Sequence, residues 1–178
     1  MNNGEIAKLR IAETKQSRLP YLDLSYLGLK EIPAEISEMN YILDLNISHN
    51  NLTKFPSEIS KLYNLLHLNI SFNDITDIEL EEGKFYSLKE FDFSNNLVSN
   101  IPSEIKYLQE TKILFENNPF LNDLPPEFYH TDDINYIAFY IESLKGRKIN
   151  KRLFETKLLI VGKGDVGKTT LMKVLQSP

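Results

Sequence analysis

Residues 42–56 read Ile42-Leu43-Asp44-Leu45-Asn46-Ile47-Ser48-His49-Asn50-Asn51-Leu52-Thr53-Lys54-Phe55-Pro56, and residues 65–75 repeat the pattern 23 positions later as Leu65-Leu66-His67-Leu68-Asn69-Ile70-Ser71-Phe72-Asn73-Asp74-Ile75. Upstream, Leu19, Leu22, Leu24 and Leu29 stand in the same columns; downstream, Leu88, Phe91, Phe93 and Val98 do. Asn50, Asn73 and Asn96 share one column. Pro33, Pro56, Pro102 and Pro125 share another, at spacings of 23, 46 and 23 residues. A fifth unit enters one residue early with Ile113, Phe115, Asn118 and Phe120. It returns to register at Leu124-Pro125-Pro126-Glu127-Phe128, which matches Ile101-Pro102-Ser103-Glu104-Ile105. A period of this length marks an array of identical supersecondary units, none of which buries its apolar face alone.

The pattern L-x-x-L-x-L-x-x-N-x-L with an I-P-x-E-I segment resembles the leucine-rich repeat. Within each unit the L-x-L core predicts a short strand whose leucines turn inward while the residues between them face the concave surface. The Asn column is expected to bond backbone groups where strand pairing stops. The prolines fix φ and lack an N–H, which suits a tight return turn before Ile36, Ile59, Ile105 and Phe128 re-enter the core. Two units depart from the pattern: Leu27 takes the Asn position in the first, and Glu79 replaces the proline in the third, predicting a looser acidic loop there. The sequons at Asn46, Asn51 and Asn69 coincide with repeat positions, so they are expected to serve structure and to carry no glycan.

An open stack needs covered ends. Residues 4–17 predict a helix with Ile6, Leu9 and Ile11 or Ala12 as its apolar side. After Asp132 or Asp133 as N-cap, Ile134, Ile137, Ala138, Ile141 and Leu144 recur at helical spacing up to Gly146, with Tyr136, Phe139 and Tyr140 at the margins. The expected fold class is α/β, a leucine-rich-repeat solenoid (a horseshoe) with N- and C-terminal helical caps.

Composition narrows the function. With 42% hydrophobic and 25% charged residues the chain is that of a soluble globular protein, and its net charge of -5 supplies no basic excess for nucleic acid. The absence of cysteine removes disulfides, thiolate metal sites and a Cys nucleophile. The start MNNGEIAKLR has no apolar leader core, and Leu158-Leu159-Ile160-Val161 is far too short to span a bilayer, so a cytoplasmic location is expected. His49, His67 and His130 lack the paired carboxylates or second histidine that a metal site or catalytic triad requires.

Projected on the strands, Tyr21, Asp44, His67, Glu90 and Lys112 form one row and Asp23, Asn46, Asn69, Asp92 and Leu114 the next. Ser25, Ser48, Ser71, Ser94 and Glu116 follow, flanked by Tyr26, His49, Phe72, Asn95 and Asn117. A polar strip edged with aromatics is suited to a protein partner. The candidate contact residues are Tyr21, Tyr26, Asp44, His49, His67, Phe72, Glu90 and Asp92.

Charge changes after the second helix: residues 145–157 carry a net +5 and residues 1–144 a net -12. There follow the apolar run ending at Val161 and then Gly162-Lys163-Gly164-Asp165-Val166-Gly167-Lys168-Thr169, with a helical tail from Thr170. This is G-x-x-x-x-G-K-S/T in strand-loop-helix context, a phosphate-binding loop. Its glycines let backbone N–H groups cradle phosphates. Lys168 is expected to reach the β- and γ-phosphates and Thr169 to ligate Mg²⁺.

Taken together, the repeats, the basic linker and K-L-L-I-V-G-K-G-D-V-G-K-T-T-L resemble the start of a Roco protein, in which leucine-rich repeats precede a Ras-like Roc GTPase domain and a COR dimerisation domain. The resemblance implies GTP or GDP with Mg²⁺ as cofactors and Gly162, Gly164, Asp165, Val166, Gly167, Lys168, Thr169 and Thr170 as the nucleotide-binding set. It implies the order capping helix (1–18), five repeats (19–130), capping helix (131–146), basic linker (147–155) and an incomplete GTPase start (156–178). A Ras-like domain needs roughly 160 residues. The switch threonine, D-x-x-G and N-K-x-D are missing after Thr170, so the expectation is a truncated domain and, as encoded, a binder. Two other readings stand beside it: a fragment of a complete GTP-hydrolysing Roco signalling protein, and a plain leucine-rich-repeat adaptor that meets no nucleotide.

Overall fold

A three-residue strand exposes too much backbone to persist by itself, so the repeats gain stability by stacking strand on strand. The computed structural model describes residues 2–81, 84–108, 110–125, 128 and 133–144. Two compact units divide the chain, residues 1–139 and 140–178. The expected linker, the phosphate-binding loop, His130 and the Gly146 helix stop lie outside the described residues.

In the first unit β1 (Tyr21–Asp23), β2 (Asp44–Asn46), β3 (His67–Asn69), β4 (Glu90–Asp92) and β5 (Lys112–Leu114) form one parallel sheet in sequence order. Register follows the 23-residue period from β1 to β4, with Tyr21 paired to Asp44, Asp44 to His67 and His67 to Glu90, and the last step is 22 residues, Glu90 to Lys112, because the fifth unit enters one residue early. The central residue of every strand, Leu22, Leu45, Leu68, Phe91 or Ile113, is buried, as is the next inward column, Leu24, Ile47, Ile70, Phe93 and Phe115. Backbone bonding between repeats continues past the strands, with Leu24 N–H donating to Asn46 O at 2.8 Å and Tyr26 N–H to Ser48 O at 3.2 Å.

The Asn column closes the repeat. Asn73 is 7% exposed; its Oδ1 accepts from Leu52 N–H at 3.0 Å, and its Nδ2 donates to Ile47 O, Ile70 O and Ser71 O. Asn50, Asn96 and Asn118 make the equivalent set toward Leu29, Ile75 and Val98. One amide thus serves a donor of the preceding unit and carbonyls of both, which staples each repeat to its neighbour. Leu27, in the Asn position of the first unit, is buried and donates its own N–H to Asn50 Oδ1.

Behind the sheet the proline turns become short 3-10 helices, Ala34–Glu38, Ser57–Lys61 and Ser103–Leu108, with Ile36, Ile59 and Ile105 wholly buried. Phe128 is buried at the corresponding place in the fifth unit. The third unit lacks the proline and has no such turn among its described residues; Asp77 instead bridges to Asn100. Phe55, Phe85 and Phe91 fill the core there, with Phe55 edge-on to Phe85 at 6.3 Å and to Phe91 at 6.4 Å.

Helix α1 (Asn3–Ser17) begins with a capping box, Asn2 Oδ1 accepting from Glu5 N–H and Glu5 accepting from Asn2 N–H. Its buried side chains are Ala7, Ile11 and Thr14, whereas Leu9 is 46% exposed and Ala12 also faces solvent. Of the expected stripe Ile11 is buried and Ile6 half-buried, while Leu9 and Ala12 lie outside the contact. The small Ala7 allows close approach at the contact, and its i+4 and i+7 partners follow it inward. Arg10 donates to Asp23 O at 2.9 Å, and the Tyr41 hydroxyl donates to Thr14 O at 3.2 Å, joining the helix to the first two units.

Lys8 and Lys15 reach Glu35 and Glu38 at 3.1 and 2.8 Å. The Glu35 carboxyl is held below the usual carboxylate range, first by its own backbone N–H and then by the hydrogen bond from Lys8. A depressed acid stabilises the fold above its unfolded-state pKa and loses that contribution as pH falls through the folded one. Glu35→Gln is therefore expected to lower the urea midpoint slightly near neutral pH, with the gap to wild type closing in strong acid. Solvent screening at this exposed pair keeps the effect small.

Helix α2 (Ile134–Leu144) starts where Asp133 Oδ1 accepts from Tyr136 N–H at 3.2 Å, so Asp133 is the N-cap. Ile134 and Ile137 are buried, Phe139 is 67% exposed, and the rings of Phe128 and Tyr136 stack at 5.0 Å.

Candidate functional site

Parallel in-register pairing converts sequence columns into rows across the sheet. Tyr21, Asp44, His67, Glu90 and Lys112 lie side by side on the outward strand face, as the period predicts. Tyr21 is 55% exposed. His67 Nδ1 contacts Asp44 Oδ1, and Lys112 Nζ lies 3.0 Å from Glu90 Oε2. Exposed pairs of this kind contribute about 0–1 kcal/mol, so they set the electrostatic pattern of the face more than its stability.

The next row has a structural duty. Asp23, Asn46, Asn69 and Asp92 each accept, through Oδ1, the N–H of the serine two residues on, at 2.8 to 3.1 Å. These Asx turns steer the chain off the end of each strand. Asp92 is thus a turn residue as well as a candidate contact, and Asn46 and Asn69, the first residues of two sequons, are engaged in the same way. Ser48 and Ser71 are buried, so the serine row belongs to the wall of the solenoid.

Beyond the serines the backbone enters the left-handed region. Tyr26, His49, Phe72, Asn95 and Asn117 have φ of 57°, 53°, 53°, 54° and 56°. Asn and His are comparatively at home there, but Tyr and Phe are not, and each of those two costs about 1 kcal/mol. Tyr26 and His49 stack with centroids 4.1 Å apart and planes 11° apart; His49 and Phe72 stack at 4.2 Å and 9°. Tyr26 is 72% and Phe72 47% exposed. The column continues in polar form, Asn117 Nδ2 donating to Asn95 Oδ1 at 2.8 Å. Two stacked pairs return about 0.5–1.5 kcal/mol each, which roughly offsets the two strained residues, Tyr26 and Phe72. Folding alone therefore gives little reason for rings in place of asparagines.

The structure brings together all eight candidate contact residues on one face; the nucleotide-binding set lies outside the described residues. The left-handed column is the feature that periodicity missed, and its signal was present in Asn95 and Asn117, the residue type most tolerant of that backbone. Among the described residues no group of three or more His, Cys, Asp or Glu side chains is placed to hold a metal, and no helix is long and apolar enough to cross a membrane.

A family model described as Leucine Rich Repeat matches residues 42–62 and 87–108. No curated protein sequence matches the chain. Among solved structures, a leucine-rich-repeat protein of Leptospira interrogans superposes with a TM-score of 0.54 at 29% identity, over 65% of this chain and 28% of that one. The chain thus spans less than a third of that relative's length. Sequence match, parallel ladder and structural likeness together make residues 42–62 and 87–108 leucine-rich repeats within a leucine-rich-repeat fold.

Proposed function

We propose that the chain is a cytoplasmic protein–protein interaction module that takes its partner on the strand face, with α1 and α2 covering the two ends of the repeat stack. The observation that carries this reading is the outward row and ring column described above: solvent-exposed side chains in fixed register, on a scaffold whose own needs they do not serve. Rigid aromatics beside adaptable polar groups are the composition of protein contact surfaces. Because the chain has no cysteine, single thiols can be introduced cleanly. His67→Cys is expected to react with a maleimide more slowly in cell extract than in the purified protein, while Lys61→Cys, at the end of the 3-10 helix Ser57–Lys61, reacts equally in both. Equal rates at His67→Cys, or slowing confined to Lys61→Cys, would overturn the proposal.

A second reading rests on residues 156–178. Gly162, Gly164, Asp165, Val166, Gly167, Lys168, Thr169 and Thr170 constitute a phosphate-binding loop in a Roco-type setting, to which GTP or GDP and Mg²⁺ would bind. Titration with a fluorescent guanine nucleotide is expected to show Mg²⁺-assisted binding that Lys168→Ala abolishes; identical titrations of both proteins would reject it.

A further inference from the structure

We infer that the strand face accepts an extended, basic segment bearing an aromatic side chain, whose ring lies across the edges of the Tyr26–His49–Phe72 column and whose cations meet the acidic rows beside it. The inference rests on the strand face being the contact surface and adds the chemistry of its occupant.

Two observations carry it. The first is the orientation of the rings. His49 is stacked on both faces, by Tyr26 and by Phe72, so what the column offers along its length is ring edges. Edges carry the positive end of the aromatic quadrupole, and their natural complement is the face of another ring set across them. A cation is repelled by that same edge, so basic groups of the partner sit beside the column rather than along its edges.

The second is charge. Across the two outward rows Asp23, Asp44, Glu90 and Asp92, with the exposed Glu116 beyond them, are opposed by Lys112. Asp23 and Asp92 accept the turn N–H through Oδ1. A surplus of carboxylates next to a ring column favours arginine or lysine flanking an aromatic, and rejects an acidic segment. An extended chain suits the site because the column and the rows run in parallel along successive repeats.

Fluorescein-labelled short peptides provide the probes: one with arginines around a tryptophan, one with glutamates in place of the arginines, and one with the tryptophan replaced by alanine. Anisotropy with the full chain is expected to show binding of the first, weakening with added salt, and at least about tenfold weaker binding of the other two. The combined Tyr26→Asn, His49→Asn and Phe72→Asn variant places in every unit the residue that Asn95 and Asn117 already use. It should keep the wild-type unfolding midpoint and lose about tenfold in affinity for the basic aromatic peptide. Phe72→Leu, which retains apolar area without a ring, should weaken binding in the same direction. Wild-type affinity in the triple variant, or equal binding of the acidic peptide, would overturn the inference. If the His67→Cys protection in extract survives the triple Asn substitution, the strand face is still the contact surface and only its assigned chemistry is wrong. Absence of that protection in the parent would remove both.

Discussion

Phe91→Ala is expected to destabilise the protein by about 3–5 kcal/mol, the range for truncating a fully buried aromatic. Phe91 is the central residue of β4, wholly buried, with Phe93 at 5.2 Å and Phe55 edge-on at 6.4 Å. The preceding third unit, whose strand β3 pairs with β4, lacks the proline and its 3-10 turn among the described residues. In a stacked array each unit is held chiefly by its neighbours, and the loss falls on two interfaces at once. Urea unfolding should show a lower midpoint, and amide exchange should show protection lost first in β3, β4 and β5. Phe91→Leu, which keeps most of the volume, should cost markedly less.

Asn73→Ala is the second large effect. The carbonyls that Asn73 serves have other donors: Asn50 also reaches Ile47 O, Asn96 reaches Ile70 O, and His49 N–H reaches Ser71 O. Leu52 N–H is different, since Asn73 Oδ1 is its partner and the site is buried. Orphaning that donor and opening a small cavity should together cost about 2–4 kcal/mol. Asn73→Asp separates donor from acceptor: it preserves the acceptor for Leu52 but sets a carboxylate against carbonyl oxygens in a buried site, and is expected to be worse than alanine. If aspartate were tolerated better than alanine in a urea titration at neutral pH, the assignment of roles within this amide would be wrong.

The 23-residue period made the sheet legible, because strand pairing in a stacked repeat is fixed by which residues share a column. The rows through Tyr21 and Asp23, the Asn column and the burial of Ile36, Ile59 and Ile105 all follow from the spacing of residues in the sequence. Periodicity speaks less clearly where an element occurs once. In α1 a count of apolar residues pointed to Leu9, while the contact turns on the small Ala7 and on the polar Thr14. Backbone conformation was also hidden, since Tyr26 and Phe72 carry no local mark of a positive φ; only His49 and the asparagines in their column do. Asp92 reads in sequence as one more exposed acid, and the turn it holds emerges only from the hydrogen bond to Ser94.

A photo-crosslinking amino acid placed at single positions and activated in living cells tests the central claim most directly. The account predicts covalent adducts with one protein species from positions of Asp44, His67 and Glu90 on the strand face, and none from those of Glu58 and Lys61 on the 3-10 turn behind the sheet. Adducts arising only from Glu58 and Lys61 would contradict it.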